Sequence, residues 1–264
     1  MQTYRAATLN IWSQYGPWET RLLAIRAQLE ALAPDVIGLQ EVLRSGEIDQ
    51  AARIADGLGY YVAWGRASEN FGIPTGNAIL SRWPIQASET LQLPNGGSNE
   101  SRSVVRAEIG SPLGVIPFYC THLNWRLDHG HVRQLQVRAL TDFIDAHKQE
   151  AHLPVVVVGD FNAEPDADEM RFLRGLTALG GNCVYYADTF AQVGSGPWAT
   201  YSKSSPFAAP LREAERRIDY VLVRGPDESG RGEPLSASRC FDTATEGTFP
   251  SDHYGMIATL TLGR

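Results

Sequence analysis

Two polar residues that could do chemistry stand directly after an apolar stretch. Asp160 and Asn162 follow residues 154–158, a proline and four valines that predict a buried β-strand. Side chains two residues apart on an extended chain point the same way, so one carboxylate and one amide would face a single site. Such a pair suits metal-assisted attack of water on a phosphate, because the carboxylate serves the water or metal and the amide donates to a phosphate oxygen. A turn in which both side chains bond the local backbone is the alternative for this segment alone.

The same arrangement recurs along the chain. Polar residues end, interrupt or precede five further apolar stretches, at Asn10, Glu41, His122, Asp219 and the pair Asp252–His253. Strand ends are where α/β sheets bind their ligands. With Asp160 the set contains four carboxylates, which cannot gather in a half-buried site without a compensating cation. Oxygen ligands favour a hard ion, so we expect Mg²⁺ or Mn²⁺ rather than Zn²⁺.

In this order the motifs resemble those of the endonuclease/exonuclease/phosphatase superfamily of metal-dependent phosphoesterases. The motifs that carry the resemblance are Leu-Asn10, Gln-Glu41, Thr-His122-Leu, Gly-Asp160-Phe-Asn162, Arg-Ile-Asp219-Tyr and Ser-Asp252-His253. The resemblance implies an α/β (α+β) fold, a four-layer α/β/β/α sandwich in which two mixed sheets pack face to face beneath outer helices. It also implies divalent-metal-dependent hydrolysis of phosphoesters, without indicating a substrate.

The resemblance implies roles for the residues on the metal side of the site. Glu41 would be the primary metal ligand, and Asp252 and Asn10 would contact the metal directly or through water. Asp160 would position the attacking water and take its proton. The residues alone also allow a solvated strand-end glutamate at Glu41 and a turn-forming asparagine at Asn10.

On the phosphate side, the resemblance implies that Asn162 donates to the phosphate and that His253 stabilises the charge developing on a non-bridging oxygen. Asp219 would orient His253 through the other ring nitrogen. His122 would lie near the leaving group. A buried Asp219 paired with a neighbouring arginine, and a His122 at the edge of the core, are the alternatives.

Substrate-binding residues are predicted at the rim of the site. Asn77 and Arg102 would contact the substrate from adjacent strands, with a strand-end amide and a solvated arginine as alternatives. Trp125 could stack on a base, ring or sugar, and Arg126 could hold a second phosphate. Packing of Trp125 beneath its own loop is the alternative. Further aromatic rim positions are predicted at Trp12, Tyr15 and Trp18.

The composition is that of an ordinary globular protein. The 264 residues are 43% hydrophobic and 20% charged, and no apolar stretch is long enough to span a membrane. The start lacks a signal-peptide pattern, and three cysteines without metal-ligand spacing indicate reduced thiols, so we expect a cytoplasmic protein. A net charge of −7 argues against a non-specific nucleic-acid binder, which needs a basic surface.

Taken together, the sequence predicts a single catalytic domain over residues 1–264 that hydrolyses a phosphoester. The expected partner is a small molecule, a lipid head group or a nucleic-acid end, and no obligate protein partner is evident. A DNA-repair or RNA-processing nuclease is the alternative. Leu43 stands where some family nucleases carry an arginine, which disfavours activity like that of deoxyribonuclease I. A catalytically inactive binding or scaffold protein is less favoured, because it would not need four clustered carboxylates.

Three helices are predicted between the strands. Pro17 begins the first, and the second extends over residues 130–148 with Leu135 on its apolar face. Asp166 and Glu169 form the pattern of a capping box at the start of the third.

Overall fold

The structure is a computed structural model that describes residues 1–150 and 152–263. The strands are β1 (Gln2–Asn10), β2 (Val36–Leu43), β3 (Tyr61–Asn70), β4 (Ile73–Ser81), β5 (Ile85–Leu93), β6 (Arg102–Ser111), β7 (Gly114–His122), β8 (Val156–Asp160), β9 (Ala187–Asp188), β10 (Gly194–Ser195), β11 (Asp219–Val223), β12 (Pro234–Cys240) and β13 (Gly255–Gly263). The α-helices are α1 (Trp18–Leu32), α2 (Gln50–Ala55), α3 (Gly130–Ala146), α4 (Asp168–Leu173) and α5 (Thr189–Val193). A 3₁₀ turn spans Ala209–Leu211.

The strands form two mixed sheets. One has the strand order β10-β12-β13-β1-β2-β4-β3, and the other has the order β5-β6-β7-β8-β11-β9. The central pairs β1–β2 and β7–β8 are parallel, whereas β13 and β11 run antiparallel to β1 and β8. The carboxyl ends of the central strands and the amino ends of β11 and β13 therefore meet at one end of the molecule.

Helices cover the outer face of each sheet, which confirms the predicted four-layer α/β/β/α sandwich. Leu22 and Ile25 of α1 pack on Leu39 of β2, and Leu140 of α3 packs on Val157 of β8 in a second cluster. Between the sheets lies a third cluster built from alternate residues of both sheets. None of the helices in residues 1–150 and 152–263 has the length and apolar character needed to cross a bilayer.

The two sheets approach each other very closely just beneath the site. Gly38 of β2 lies against Val158 and Cys120 of the opposite sheet, and a Cβ placed at Gly38 would be 2.4 Å from a methyl carbon of Val158. Only a glycine allows this separation without displacing the facing strand. The polar strand ends of both sheets are thereby brought into one cleft.

Two helix predictions are wrong in detail. Helix α3 ends at Ala146, and Leu135 is 48% exposed instead of facing the core. No capping box forms at α4, whose N-cap is Ala167 and carries no side-chain cap. Glu169 instead accepts a hydrogen bond from Arg133 of α3 at 2.5 Å, because this buried pair joins two helices that pack together.

Candidate active site

The predicted polar residues converge in one cleft of about 570 Å³ at the strand ends. Register pairs His122 of β7 with Asp160 of β8, and Asp160 with Asp219 of β11. The cleft is lined by seven of the eight core candidates, namely Asn10, Glu41, His122, Asp160, Asn162, Asp252 and His253. The eighth, Asp219, is fully buried beneath the floor.

Glu41 reaches the cleft through an irregularity in β2. The pairing of β2 with β4 shifts register between Leu39 and Val42, and Glu41 has a φ of +60°. A regular strand would direct Glu41 to the same helix-covered face as Leu39. The left-handed conformation turns its carboxylate into the cleft instead. The hydroxyl of Ser13 donates to the carbonyl of Glu41 at 3.1 Å and to its carboxylate at 3.3 Å.

Asn10 connects two of the carboxylates. Its amide nitrogen donates to Oε1 of Glu41 at 3.2 Å and to Oδ2 of Asp160 at 3.1 Å. Its amide oxygen accepts the backbone N–H of Trp12 at 2.9 Å. Asn10 therefore lies between the two carboxylates as a donor, and its contact with a metal stays a prediction.

His253 is held by Asp219. Its Nδ1 lies 3.0 Å from Oδ2 of Asp219, and its Nε2 lies 3.8 Å from Oδ2 of Asp160. Burial opposes a charged ring, but the carboxylates of Asp219 and Asp160 together raise the pKa of His253 well above its ordinary value. The hydroxyl of Thr200 accepts the backbone N–H of Asp219 at 3.1 Å and so anchors the pair. The predicted Asp–His arrangement is present in the geometry.

The buried carboxylates are electrostatically strained. Burial, followed by the charge of Asp219, raises the pKa of Asp160 to about 7. Burial also raises the pKa of Asp252 to about 6, with Glu41 acting in the same direction. Asp160, Asp219 and His253 form a group whose potential ligand atoms lie within 4.8 Å of one another and could hold a metal ion. Excess negative charge in a buried site is the condition that a bound cation relieves.

His122 lies on the other side of Asp160. Its Nε2 is 3.4 Å from Oδ2 of Asp160, and its Nδ1 is 3.2 Å from the Nη1 of Arg102. Burial and then the charge of Arg102 lower the pKa of His122 well below its ordinary value. Arg102 also pairs with Glu100 and lines the cleft, so the alternative of a solvated arginine is wrong and its contact with a phosphate stays a prediction.

The rim predictions have mixed outcomes. Trp125 is 58% exposed at the cleft, which contradicts packing beneath its loop. Asn77 also lines the cleft, but its amide donates to the carbonyl of Ser103 at 2.9 Å. Arg126 faces Asp128 at 3.4 Å and is not among the cleft-lining residues, and its contact with a second phosphate stays a prediction. Trp18 likewise lies elsewhere, packed against the helix-side core of the first sheet.

Two aromatic residues after Asn10, Trp12 and Tyr15, line the cleft, and Phe71 packs on Tyr15. Trp12 stacks on Tyr15 with 5.7 Å between ring centroids, and Tyr15 contacts Phe71 at 4.8 Å. Trp12 and Tyr15 were predicted for this rim, whereas Phe71 was not. The side of the cleft near His253 is completed by Tyr201, whose ring packs edge-on against the imidazole at 5.0 Å. No local pattern marks Phe71 or Tyr201, because Phe71 meets Tyr15 and Tyr201 reaches the cleft only through the packing of distant segments.

Arg21 is a further residue that sequence reasoning missed. The side chain is 1% exposed, and its guanidinium donates to five backbone carbonyls, those of Ile11, Trp12, Ser13, Tyr15 and Pro250. Trp12 and Ser13 have positive φ, at 58° and 42°. The buried cation therefore stabilises the strained turn after Asn10 and ties it to the segment before Asp252.

Comparison with known proteins places the chain among phosphoesterases. The sequence profile of the Endonuclease/Exonuclease/phosphatase family matches residues 7–253. The protein YbhP of Escherichia coli strain K12 is 27% identical over 175 residues, which cover 61% of this chain and 67% of YbhP. Human tyrosyl-DNA phosphodiesterase 2 is 22% identical over 255 residues, which cover 92% of this chain and 63% of that protein.

Solved structures share the fold. An endonuclease/exonuclease/phosphatase from Beutenbergia cavernae matches with a TM-score of 0.75 at 24% identity, covering 100% of this chain and 72% of that one. D. rerio TDP2, complexed with a single-strand DNA product, matches with a TM-score of 0.79 at 19% identity, covering 99% of this chain and 100% of that one. At these identities the likeness concerns the architecture alone.

Proposed function

The chain belongs to the Endonuclease/Exonuclease/phosphatase family, and we propose that it is a Mg²⁺- or Mn²⁺-dependent hydrolase of phosphoester bonds. Family membership supports phosphoester hydrolysis in general. The cluster of buried carboxylates is the observation that supports a dependence on metal. Asp160 and Asp252, 1% and 7% exposed, share the cleft with Glu41, and burial raises the pKa of both aspartates. The donors fit a hard divalent cation, because they are carboxylate oxygens and no cysteine is among the residues lining the cleft.

Glu41 and Asp252 are the proposed metal ligands. Glu41 enters from the bulge of β2 and Asp252 from the segment before β13, and the charge of Glu41 helps to raise the pKa of Asp252. A bound divalent ion would polarise the phosphoryl group and neutralise negative charge that develops on it. We assign Asp219 and His253 to hydrogen bonding instead of metal binding, since Nδ1 of His253 is already engaged by Asp219. Asn10 would hold the carboxylates of Glu41 and Asp160 in place.

The remaining residues would act on water and phosphate. Asp160 would orient the attacking water and accept its proton, a task suited to a carboxylate whose pKa is raised to about 7. His253, kept charged by Asp219, would donate from Nε2 to a non-bridging phosphate oxygen. Asn162 would use the amide hydrogen that does not donate to the carbonyl of Leu123.

The lining of the cleft supports a short substrate. Its two arginines, Arg102 and Arg216, are each paired with a glutamate, Glu100 and Glu213. Little positive charge is therefore available to follow a long phosphate backbone. The exposed ring of Trp125 offers an apolar face beside the cleft. A small phosphodiester, a lipid head group or the end of a nucleic acid fits this lining better than a long duplex.

Hydrolysis of bis-p-nitrophenyl phosphate tests the proposal. We expect turnover that requires Mg²⁺ or Mn²⁺, that EDTA abolishes, and that Glu41→Gln lowers by about 10²-fold or more, in line with the loss of a group that stabilises transition-state charge. Glu47→Gln, an exposed glutamate beyond the end of β2, is the matched control and should retain wild-type activity. Turnover that is unaffected by EDTA would refute metal dependence. No turnover on this ester would then be followed by a panel of single-stranded DNA, duplex DNA, RNA, a 5′-phosphotyrosyl end, sphingomyelin and inositol phosphates, and inactivity on all would favour the scaffold alternative.

A further inference from the structure

The hydrogen bond between Arg102 and His122 joins two strand ends inside the cleft. Arg102 is the first residue of β6 and His122 is the last of β7, and these strands pair antiparallel. Nη1 of Arg102 lies 3.2 Å from Nδ1 of His122. The same guanidinium contacts Glu100 through Nη2, and both side chains are mostly buried, at 14% and 18% exposure. Glu100 thus holds the guanidinium at Nη2 while Nη1 faces the imidazole of His122.

The chemistry of the two groups determines the direction of this hydrogen bond. A guanidinium has only N–H donors and stays protonated in proteins, so it cannot accept a hydrogen bond. Nδ1 of His122 must therefore be the acceptor and carries no hydrogen. In a neutral imidazole the hydrogen then resides on Nε2, which lies 3.4 Å from Oδ2 of Asp160 on the cleft side.

We propose that Arg102 is a positioning residue that fixes His122 as the Nε2–H tautomer, so that His122 enters the reaction as a neutral hydrogen-bond donor and not as the acid for the leaving group. This replaces both the phosphate contact predicted for Arg102 and the leaving-group role predicted for His122. Glu100 supports the arrangement, because it neutralises the guanidinium and fixes the plane of its nitrogens.

If the protein hydrolyses phosphoesters as proposed, the neutral ring of His122 determines where the leaving group obtains its proton. The oxygen of the attacking water forms a bond to phosphorus and its proton passes to Asp160, while the bond from phosphorus to the leaving oxygen breaks and that oxygen departs with the bonding pair. With His122 as a neutral donor, the leaving oxygen takes its proton from solvent. Esters whose leaving group is stable as an anion, such as phenolates, should therefore be hydrolysed much faster than esters with alkoxide leaving groups.

The tautomer can be measured without any activity, by ¹⁵N NMR of histidine-labelled protein with the His122 signals assigned from their loss in His122→Gln. In the wild type we expect a bare Nδ1 and a protonated Nε2. Arg102→Lys keeps a donor-only group and should retain this pattern, whereas Arg102→Glu offers an acceptor and should move a proton onto Nδ1. The inference would be overturned by a proton on Nδ1 of His122 in the wild-type protein. It would also be overturned if the two ring nitrogens of His122 kept the same protonation in Arg102→Glu.

Kinetics provide the second readout. General acid catalysis is worth about 10²–10⁴-fold, so the ratio of aryl to alkyl phosphodiester rates should fall by about tenfold or more in Arg102→Glu. Arg106→Glu is the matched control, since Arg106 lies on the same strand and pairs with Glu108 but is not among the cleft-lining residues. Arg102→Lys and Arg106→Glu should keep the wild-type ratio. An unchanged ratio in Arg102→Glu would refute the donor role, whereas inactivity of the wild type on every ester would refute the proposed function and leave the tautomer result standing.

Discussion

Replacing Asp219 with asparagine should lower turnover while leaving the fold intact. Asp219 is fully buried and its Oδ2 lies 3.0 Å from Nδ1 of His253. Asparagine keeps the shape of the side chain and can still accept from Nδ1, but it removes the largest of the charges that raise the pKa of His253. The imidazole then donates to the phosphate as a weaker, neutral group.

The size of the effect follows from the type of hydrogen bond that is lost. Hydrogen bonds to charged groups contribute about 1.5–3 kcal/mol and neutral ones about 0.5–1.5 kcal/mol. The difference of about 1–2 kcal/mol corresponds to a loss of roughly 5- to 30-fold in kcat/KM. His253→Ala removes the donor altogether and should lose about 10²–10³-fold. Stability should change little in Asp219→Asn, because the weaker hydrogen bond is offset by relief of the repulsion that Asp219 exerts on Asp160.

A second buried aspartate supplies the matched control. Asp188 is 3% exposed, accepts from both terminal nitrogens of Arg217 at 3.0 and 2.7 Å, and is not among the residues lining the cleft. Asp188→Asn leaves a buried guanidinium poorly compensated, so it should lower the free energy of unfolding by about 3 kcal/mol without changing kcat. Urea unfolding and hydrolysis of bis-p-nitrophenyl phosphate measure the two quantities separately.

The double variant decides whether Asp219 acts through His253. If it does, Asp219→Asn combined with His253→Ala should be no slower than His253→Ala alone, because the ring to be oriented is absent. Losses that multiply in the double variant, or wild-type turnover in Asp219→Asn, would refute the assignment.

Three further predictions concern the metal and the rim. Because burial raises the pKa of Asp160 to about 7 and of Asp252 to about 6, their protonated forms stabilise the metal-free fold at low pH, and this contribution is lost as pH rises from about 4 to 7. Mg²⁺ should therefore raise the Tm more at pH 8 than at pH 5, and equal gains at both pH values, or a full gain in Glu41→Gln, would count against this site. Trp125→Ala should raise KM for the physiological substrate by about tenfold, because one stacked ring is lost. The same substitution should leave hydrolysis of bis-p-nitrophenyl phosphate nearly unchanged. Trp198→Ala, an exposed tryptophan that is not among the cleft-lining residues, is the control, and equal effects of Trp125→Ala on both substrates would indicate packing. Duplex DNA should bind weakly, and its binding constant should depend only slightly on salt concentration. A log-log salt slope that indicates about six or more phosphate contacts would instead favour a nuclease that acts on duplex DNA.

The sequence by itself determined several of the central strands and the polar residues at their ends. Apolar stretches such as residues 154–158 predict buried strands because β-branched residues fit a pleated, enclosed surface. Polar residues at the strand ends, such as Asn10 and Asp160, stand out against this pattern. Their grouping at one end follows from the rule that α/β sheets bind ligands at strand ends, whereas the four-layer sandwich was implied by the resemblance to the family.

Only the tertiary structure decided which partner each side chain has. The direction of the Glu41 carboxylate depends on a bulge formed against β4. Asn10 donates a hydrogen bond to Asp160, a residue 150 positions away in the chain. Glu169 looks like part of a helix cap in the sequence, yet it pairs with Arg133 of α3. The reason is that a local pattern records burial and backbone preference, whereas the direction of a hydrogen bond or ion pair depends on segments brought together only by packing.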